Sequence, residues 1–195
     1  MSDSWRDGVI REAPAGGVRG TVIKFGGSLF VRPRWADELL SLVSRADGPV
    51  SVIVGGGGLV DGLRAIDAAS PLPATLTHRL AIDALALTAR LAAVATGLQL
   101  VSEPGVADAA VLDVPAWLSV GHRLAKLPVG WHVTSDSIAA EVAAASGAVL
   151  MLAKSLPPPT TDVDVAAAAG WVDPWFPTAA RGVPSIRWAA PEAAG

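Results

Sequence analysis

Two apolar segments that each run directly into a glycine cluster constrain the fold of this chain more than any other feature. The first, TVIKFGG, spans residues 21–27, and the second, VSVIVGGGG, spans residues 50–58. Near-continuous apolar runs are typical of strands that are buried on both faces of a parallel sheet. Parallel strands need long crossover connections, and a helix-like hydrophobic pattern follows each glycine cluster. The two segments therefore predict an α/β fold that begins with two successive strand–helix units.

The rest of the chain continues this alternation of strands and helices. Helical patterns occupy PRWADELLSLVSRA, THRLAIDALALTARLAAVATG and SIAAEVAAASG, and strand-like runs occupy LQLV, AAVLDV and AVLML. The stretch WLSVGHRLAKLPVG predicts short strands and a loop. We therefore predict a three-layer α/β/α sandwich with a mainly parallel central sheet. The prediction is one compact domain over residues 1–195, with a loose N-terminal segment at 1–19 and a tail at 190–195.

Composition excludes several classes of function. The chain has no cysteine, which excludes disulfides and thiolate chemistry, and its three scattered histidines argue against a histidine-based zinc site. The net charge of −3, with dispersed lysines and arginines, argues against a nucleic-acid partner. The polar N-terminus lacks the apolar core of a signal peptide, and no long apolar run is free of charge. We expect a soluble cytoplasmic protein with no membrane partner.

Lys24 is unusual because it stands inside the first apolar segment, where a charged side chain is costly to bury. It either faces solvent or lies at the open end of the strand as a phosphate-binding cation. Ligands of open α/β sheets bind beyond the carboxyl ends of strands, and glycines there let the backbone approach an anion. Two glycine clusters at equivalent places favour a polyanionic ligand over two tight turns. Neither a G-x-x-x-x-G-K-[ST] loop nor G-x-G-x-x-G is present.

Four elements of the sequence resemble the amino acid kinase superfamily, which includes acetylglutamate, aspartate, uridylate and isopentenyl phosphate kinases. They are IKFGGSL, VIVGGGG, TSDSIAAEVA and a lysine just past a late apolar strand, and they occur in the family's order between about Thr21 and Arg187. The resemblance implies a carbamate kinase-like fold. The segments GGGGLVDGLRAID, THRLAIDALALTARL and VDPWFP further resemble the branch that phosphorylates [5-(aminomethyl)furan-3-yl]methyl phosphate in methanofuran or methylofuran biosynthesis.

The resemblance implies an ATP-dependent kinase that converts a small organic monophosphate into its diphosphate, with Mg²⁺ carried by the nucleotide. Lys24 would stabilise the transferring phosphoryl group, Asp136 would orient the lysines, and Lys154 would be the second cation on the ATP side. The implied catalytic residues are thus Lys24, Asp136 and Lys154, and the ATP-binding residues are these three with Gly26, Gly27 and Ser28. The implied acceptor-binding residues are Gly55, Gly56, Gly57, Gly58, Arg64 and His78. The superfamily also implies a homodimer or a higher homo-oligomer.

Simpler interpretations stay open for most of these residues. Asp136 stands where an N-cap is expected, and Lys154 is compatible with an ordinary strand end. Arg64 has Asp61 and Asp67 nearby on the same predicted helix as ion-pair partners. His78 is compatible with a polar helix residue. We interpret His122 and His132 as structural and most of the seven tryptophans as core residues, with Trp175 as a candidate for the substrate pocket.

Two departures from the superfamily pattern affect the choice of substrate. The segment KSLPPPTTD replaces the segment that cradles the nucleotide in many relatives, which predicts a reduced nucleotide subsite. No histidine follows the second glycine cluster as it does in isopentenyl phosphate kinases, which argues against an isoprenoid acceptor. The alternatives are a uridylate or amino-acid carboxylate kinase and a non-catalytic relative that binds a nucleotide or an oxyanion.

Overall fold

The computed structural model describes residues 5–12, 17–124 and 127–192 and contains one mainly parallel sheet. Its strands lie in the order β1-β7-β6-β2-β3-β5-β4. Neighbouring strands are parallel, except that β1 and β7 are antiparallel. The bounds are β1 Trp5–Arg11, β2 Thr21–Phe25, β3 Val50–Val54, β4 Gln99–Val101, β5 Ala109–Leu112, β6 Val149–Ala153 and β7 Ser185–Pro191.

Helices cover both faces of the sheet. Their bounds are α1 Trp35–Arg45, α2 Gly57–Ala69, α3 Ala74–Thr96, α4 Val114–Ser119, α5 Ser135–Ser146, α6 Val163–Ala168 and α7 Phe176–Ala179. Alternate residues of β2 enter opposite cores: Val22 packs in the core with α5, and Ile23 and Phe25 pack in the core with α1. This arrangement confirms the predicted three-layer α/β/α sandwich. Within the described ranges, no helix is both long and apolar enough to cross a lipid bilayer.

The prediction of a loose segment over residues 1–19 is wrong for residues 5–11, which form β1. This strand pairs with β7 in a register that places Trp5 opposite Pro191 and Gly8 opposite Trp188. A Cβ on Gly8 would lie 2.5 Å from the indole nitrogen of Trp188, so the glycine gives that ring the space to lie over β1. The strand is polar because it forms an edge of the sheet and is only partly buried. Its polar residues gave no hydrophobic pattern from which a strand could be predicted.

The predicted tail at 190–195 also begins too early, because β7 extends to Pro191. The rest of the predicted N-terminal segment and tail lies in part outside the described residues, namely at 1–4, 13–16 and 193–195. The β1–β7 pairing therefore extends the regular structure of both chain ends beyond the prediction.

The segment predicted as short strands and a loop contains the end of α4 and a 3₁₀ turn at Val120–His122. Asp113 caps α4, since its carboxylate accepts a hydrogen bond from the backbone N–H of Ala116 at 3.2 Å. Pro115 stands in the first turn, where proline favours a helix start. A short apolar run is compatible with either a strand or a helix, and here the Asp113 cap favours the helix. Residues 125–126 of this segment, and the side chain of His122, lie outside the description.

The two glycine clusters meet at the carboxyl edge of the sheet. Because Phe25 pairs with Val54 in parallel register, β2 and β3 end side by side and their loops emerge together. A Cβ on Gly27 would lie only 2.2 Å from the backbone nitrogen of Gly57, and one on Gly55 would lie 2.7 Å from that of Gly27. The two loops are thus in direct backbone contact, which a side chain at either position would prevent.

We predict that Gly27→Ala destabilises the protein by about 1–3 kcal/mol, the range for overpacking a tight contact. Gly62→Ala is the matched control, because it lies inside α2 and an added Cβ would meet nothing within 4 Å. The control should stabilise by about 0.5–1 kcal/mol, since alanine is a better helix former than glycine. Urea unfolding of both variants measures the difference, and a Gly27→Ala variant as stable as wild type would contradict the tight contact.

Candidate active site

Lys24, Asp136 and Lys154 converge at the carboxyl edge of the sheet. Lys24 lies near the end of β2, Lys154 directly follows β6, and Asp136 lies in the first turn of α5. Because β2 and β6 are parallel neighbours with Phe25 opposite Ala153, the two lysines emerge next to one another. Lys24 Nζ lies 2.9 Å from Oδ1 of Asp136, and Lys154 Nζ lies 2.7 Å from Oδ2 of the same carboxylate. The structure therefore brings together the three residues that the sequence singled out.

This arrangement decides between two interpretations left open by the sequence. Lys24 is only 6% exposed, so it is not a strand residue that faces solvent. Asp136 is not the N-cap of α5; that position belongs to Thr134, whose hydroxyl accepts from the backbone N–H of Asp136 at 3.3 Å. The N-cap prediction for Asp136 is therefore wrong, and both of its carboxylate oxygens lie against lysine ammonium groups.

The three charges perturb one another strongly. Burial alone would raise the pKa of Asp136, but the adjacent ammonium groups of Lys24 and Lys154 outweigh it and hold that pKa below its ordinary value. Burial, followed by the positive charge of Lys24, lowers the pKa of Lys154 to about 8, although Asp136 opposes this shift. Lys154 Nζ also donates to the carbonyl oxygen of Trp171 and lies 5.0 Å from the centroid of its ring. The cluster carries one net positive charge when both lysines are protonated, which suits it to an anionic ligand.

Two cavities meet at Lys24 and share Lys24, Gly27 and Ser28 in their walls. We call the one on the Lys154 side cavity D; it encloses about 250 Å³. Its other lining residues are Gly26, Lys154, Ser155, Leu156, Gly170 and Trp171. We call the one on the α2 and α3 side cavity A; it encloses about 260 Å³. Asp136 lines neither cavity, but it contacts Lys24 and Lys154, which do.

Cavity A combines a glycine-lined end beside Lys24 with an apolar wall. Gly55, Gly56 and Gly57 line it next to Lys24, whereas Gly58 is absent from its wall. Its apolar wall consists of Val60, Ile82, Leu85, Val133 and Ile138. The cavity therefore fits a small molecule with an anionic group at one end and an apolar body.

Arg64 lies at the rim of cavity A and makes two contacts there. Its Nη1 is 3.3 Å from Oδ1 of Asp61, so the helix-surface ion pair considered from the sequence does form. Its guanidinium carbon also lies 5.2 Å from the ring centroid of Trp131, whose indole N–H donates to Asp67 at 2.7 Å. Arg64 thus both pairs on the helix and lines the cavity, and Trp131 connects α2 to the loop before α5.

His78 lines cavity A and is 8% exposed. The backbone N–H of Gly130 donates to its Nδ1 at 3.4 Å, which places the proton of the neutral ring on Nε2. Burial lowers the pKa of His78, and the nearby His132 lowers it further, so the ring is neutral at pH 7. His78 therefore adds no charge to the cavity.

Sequence reasoning missed several residues that line the cavities. Trp131, Thr134 and Ser135 belong to cavity A, and Ser155 and Trp171 belong to cavity D. Thr134 and Ser135 could have been found from their position beside Asp136, but nothing in the sequence marks the two tryptophans. Trp175, the one tryptophan proposed for the pocket, instead packs against the core.

Among the described residues, no group of three or more histidine, aspartate or glutamate side chains is arranged to hold a metal ion. Both carboxylate oxygens of Asp136 lie against lysine ammonium groups.

Comparison with known proteins identifies the fold. No protein-family model and no curated protein sequence matches the chain. Among solved structures, the uridylate kinase of Archaeoglobus fulgidus is similar with a TM-score of 0.60 and 17% identity, over 89% of this chain and 91% of that one. The UMP kinase of Ureaplasma parvum is similar with a TM-score of 0.51 and 13% identity, over 76% of this chain and 71% of that one. The chain has the fold of these kinases.

The chain contains only three lysines, which makes the charge state of Lys154 directly measurable. We predict that ¹³C-lysine NMR of the free protein shows one lysine that titrates near pH 8, and that Lys154→Met removes this signal. Asp136→Asn should move the titration to lower pH, because it removes a carboxylate that favours the protonated amine. A Lys154 signal that titrates above pH 10 would contradict the buried cluster.

Proposed function

We propose that the protein is an ATP-dependent phosphotransferase that converts a small organic monophosphate into its diphosphate. One observation carries the proposal: two cavities meet at a buried lysine that is held, together with a second lysine, by one aspartate. A reaction between two phosphate-bearing ligands needs this geometry, because the reacting groups repel one another unless cations lie between them. The similarity of the fold to two uridylate kinases supports the same class of reaction.

In this proposal the terminal phosphates of ATP occupy cavity D and the acceptor phosphate occupies cavity A. An oxygen of the acceptor phosphate attacks the terminal phosphorus of ATP, the bond from that phosphorus to the bridging oxygen breaks, and ADP leaves. Lys24 lies between the cavities and offsets the charge on the transferring group, while Lys154 acts from the ATP side. Catalysis then consists of positioning and electrostatic stabilisation without a covalent intermediate.

The glycine loops supply the remaining contacts with the phosphates. Gly26 lines cavity D, Gly27 and Ser28 line both cavities, and Gly55 to Gly57 line cavity A. The backbone N–H groups of Gly26 and Gly55 already donate to the carbonyl oxygens of Ala153 and Phe25. Those of Gly27, Gly56 and Gly57 would approach phosphate oxygens closely, because glycine has no Cβ. Mg²⁺ would reach the site on the phosphate oxygens of the nucleotide.

We propose [5-(aminomethyl)furan-3-yl]methyl phosphate, an intermediate of methanofuran and methylofuran biosynthesis, as the acceptor. Cavity A encloses about 260 Å³, below the range of about 300–1,000 Å³ for drug-sized ligands, which favours one small ring and one phosphate. The apolar wall suits a furan ring. UMP is the second candidate, because the two similar solved structures are a uridylate kinase and a UMP kinase. We also propose that the protein acts in the cytoplasm, where ATP is available.

The direct test incubates the purified protein with Mg-ATP and the furan phosphate and measures ADP and the diphosphate product. We expect turnover with the furan phosphate at higher kcat/KM than with UMP. Lys24→Ala and Asp136→Asn should each reduce turnover at least ~100-fold, the scale of lost electrostatic stabilisation. Arg6→Ala is the control, because Arg6 is an exposed residue of β1 that lines neither cavity.

Three outcomes of this assay distinguish the alternatives. Turnover with UMP alone would assign a uridylate kinase. Binding of ATP without transfer to furan phosphate, UMP or an amino-acid carboxylate would assign a non-catalytic nucleotide-binding protein. Full activity of Lys24→Ala or Asp136→Asn would show that the chemistry occurs elsewhere.

We also propose that the protein is a homodimer whose subunits pair through α3. Leu87, Leu91 and Val94 recur at helical spacing on α3 and are 55%, 52% and 85% exposed. They lie on the helix that contacts β4, the edge strand of the sheet. A contiguous exposed apolar stripe of this kind is typical of an interface between proteins.

We predict that light scattering after size-exclusion chromatography finds a wild-type dimer and that Leu87→Glu with Leu91→Glu yields a monomer, because two buried carboxylates would oppose pairing. Val165→Glu, an exposed position on α6, is the control and should stay dimeric. A monomeric wild type, or an unchanged double variant, would contradict the assignment of the interface.

A further inference from the structure

Asp173 is a buried carboxylate, 6% exposed, that lies in the segment between α6 and α7. Its Oδ2 accepts from the backbone N–H of Thr134 at 3.0 Å, from the Thr134 hydroxyl at 2.8 Å and from the backbone N–H of Ser137 at 3.0 Å. Its Oδ1 accepts from the Ser137 hydroxyl at 2.5 Å and from the backbone N–H of Trp175 at 3.1 Å. Within the described residues, no cation forms a salt bridge with it.

These hydrogen bonds fix the first turn of α5 from outside the helix. The backbone N–H groups at a helix start have no partner within the helix, and a nearby residue usually caps them. Here Thr134 is the N-cap, but Asp173 binds both Thr134 and Ser137 across 36 or more positions of the chain. The negative charge is also favourable at the N-terminal end of a helix. Asp136 lies between the two anchored residues, so the backbone is held on both sides of it.

We infer that Asp173 is a positioning residue of the active site, which orients Asp136 so that its two oxygens hold Lys24 and Lys154. The expected effect on kcat rests on the proposed phosphoryl transfer, whereas the hydrogen bonds of Asp173 do not depend on it. Asp173 touches neither cavity, so it contributes through α5 and not by contact with a ligand. A shift of about 1 Å in the position of a reacting group reduces rates by up to about a hundredfold.

The charge of Asp173 has a second effect at the same site. Four groups face Lys154. They are Lys24 from β2, Asp136 from α5, and Trp171 and Asp173 from the segment between α6 and α7. Burial and Lys24 lower the pKa of Lys154, whereas Asp136 and Asp173 raise it. Loss of the Asp173 charge therefore moves the titration of Lys154 to lower pH, an effect that a purely structural cap would not produce.

The test uses Asp173→Asn, which keeps the shape and one acceptor oxygen but removes the charge. We expect kcat to fall by about 10–100-fold with KM for both substrates little changed, and the Lys154 NMR titration to move below that of wild type. Asp162→Asn is the matched control: this carboxylate accepts from the backbone N–H groups of Asp164 and Val165 at the start of α6 but lines neither cavity. The control should change neither kcat nor the titration.

Wild-type kcat and an unmoved Lys154 titration in folded Asp173→Asn would overturn the inference. If this variant does not fold, as judged by circular dichroism, Ser137→Ala decides, because it removes one hydrogen bond and keeps the charge. A reduced kcat in Ser137→Ala then supports the inference, and an unchanged kcat overturns it. If the wild-type protein transfers no phosphoryl group, the proposed function fails, but the titration of Asp173→Asn still tests whether Asp173 sets the environment of Lys154.

Discussion

The contact of one buried carboxylate with two lysines is the interaction on which the rest of the site depends. Lys24 lies on β2 and Lys154 directly follows the adjacent parallel strand β6, so their ammonium groups would repel one another in a poorly solvated setting. Asp136 lies between them, and its negative charge offsets the repulsion between the two ammonium groups. Removing one partner of a buried ion pair leaves an uncompensated charge, which is strongly destabilising. The cluster is therefore both a structural element of the sheet edge and the source of its positive potential.

The backbone around the cluster extends this potential over two cavities. Gly27 and Gly57 lie in direct contact, so the loops after β2 and β3 form one continuous surface of backbone groups. Lys24 lies where the two cavities meet, and Lys154 lies only on the side of cavity D. The two cavities therefore offer different environments: cavity D has two lysines in its wall, and cavity A has one lysine, the second glycine run and apolar side chains. This difference fits the proposal that cavity D takes the phosphoryl donor and cavity A the acceptor.

The sequence predicts the centre of the structure better than its margins. β2 and β3 are buried on both faces, so hydrophobicity alone reveals them, and the glycines after them report a close backbone approach. β1 escaped prediction because it is an edge strand whose partner, β7, is almost the whole chain away. Trp131 and Asp173 escaped for a related reason: their roles depend on contacts with α2 and α5 that no local pattern encodes. Long-range partners decide which of many tryptophans and aspartates reach the site.

In the proposed reaction, Lys24 lies between a phosphoryl donor and a phosphate acceptor. A crystal structure of the protein with a non-hydrolysable ATP analogue and the acceptor phosphate tests this position most directly. We expect Lys24 Nζ to lie about 3 Å from an oxygen of the terminal phosphate and also from an oxygen of the acceptor phosphate. A terminal phosphate bound away from Lys24, with water in place of the amine, would contradict it.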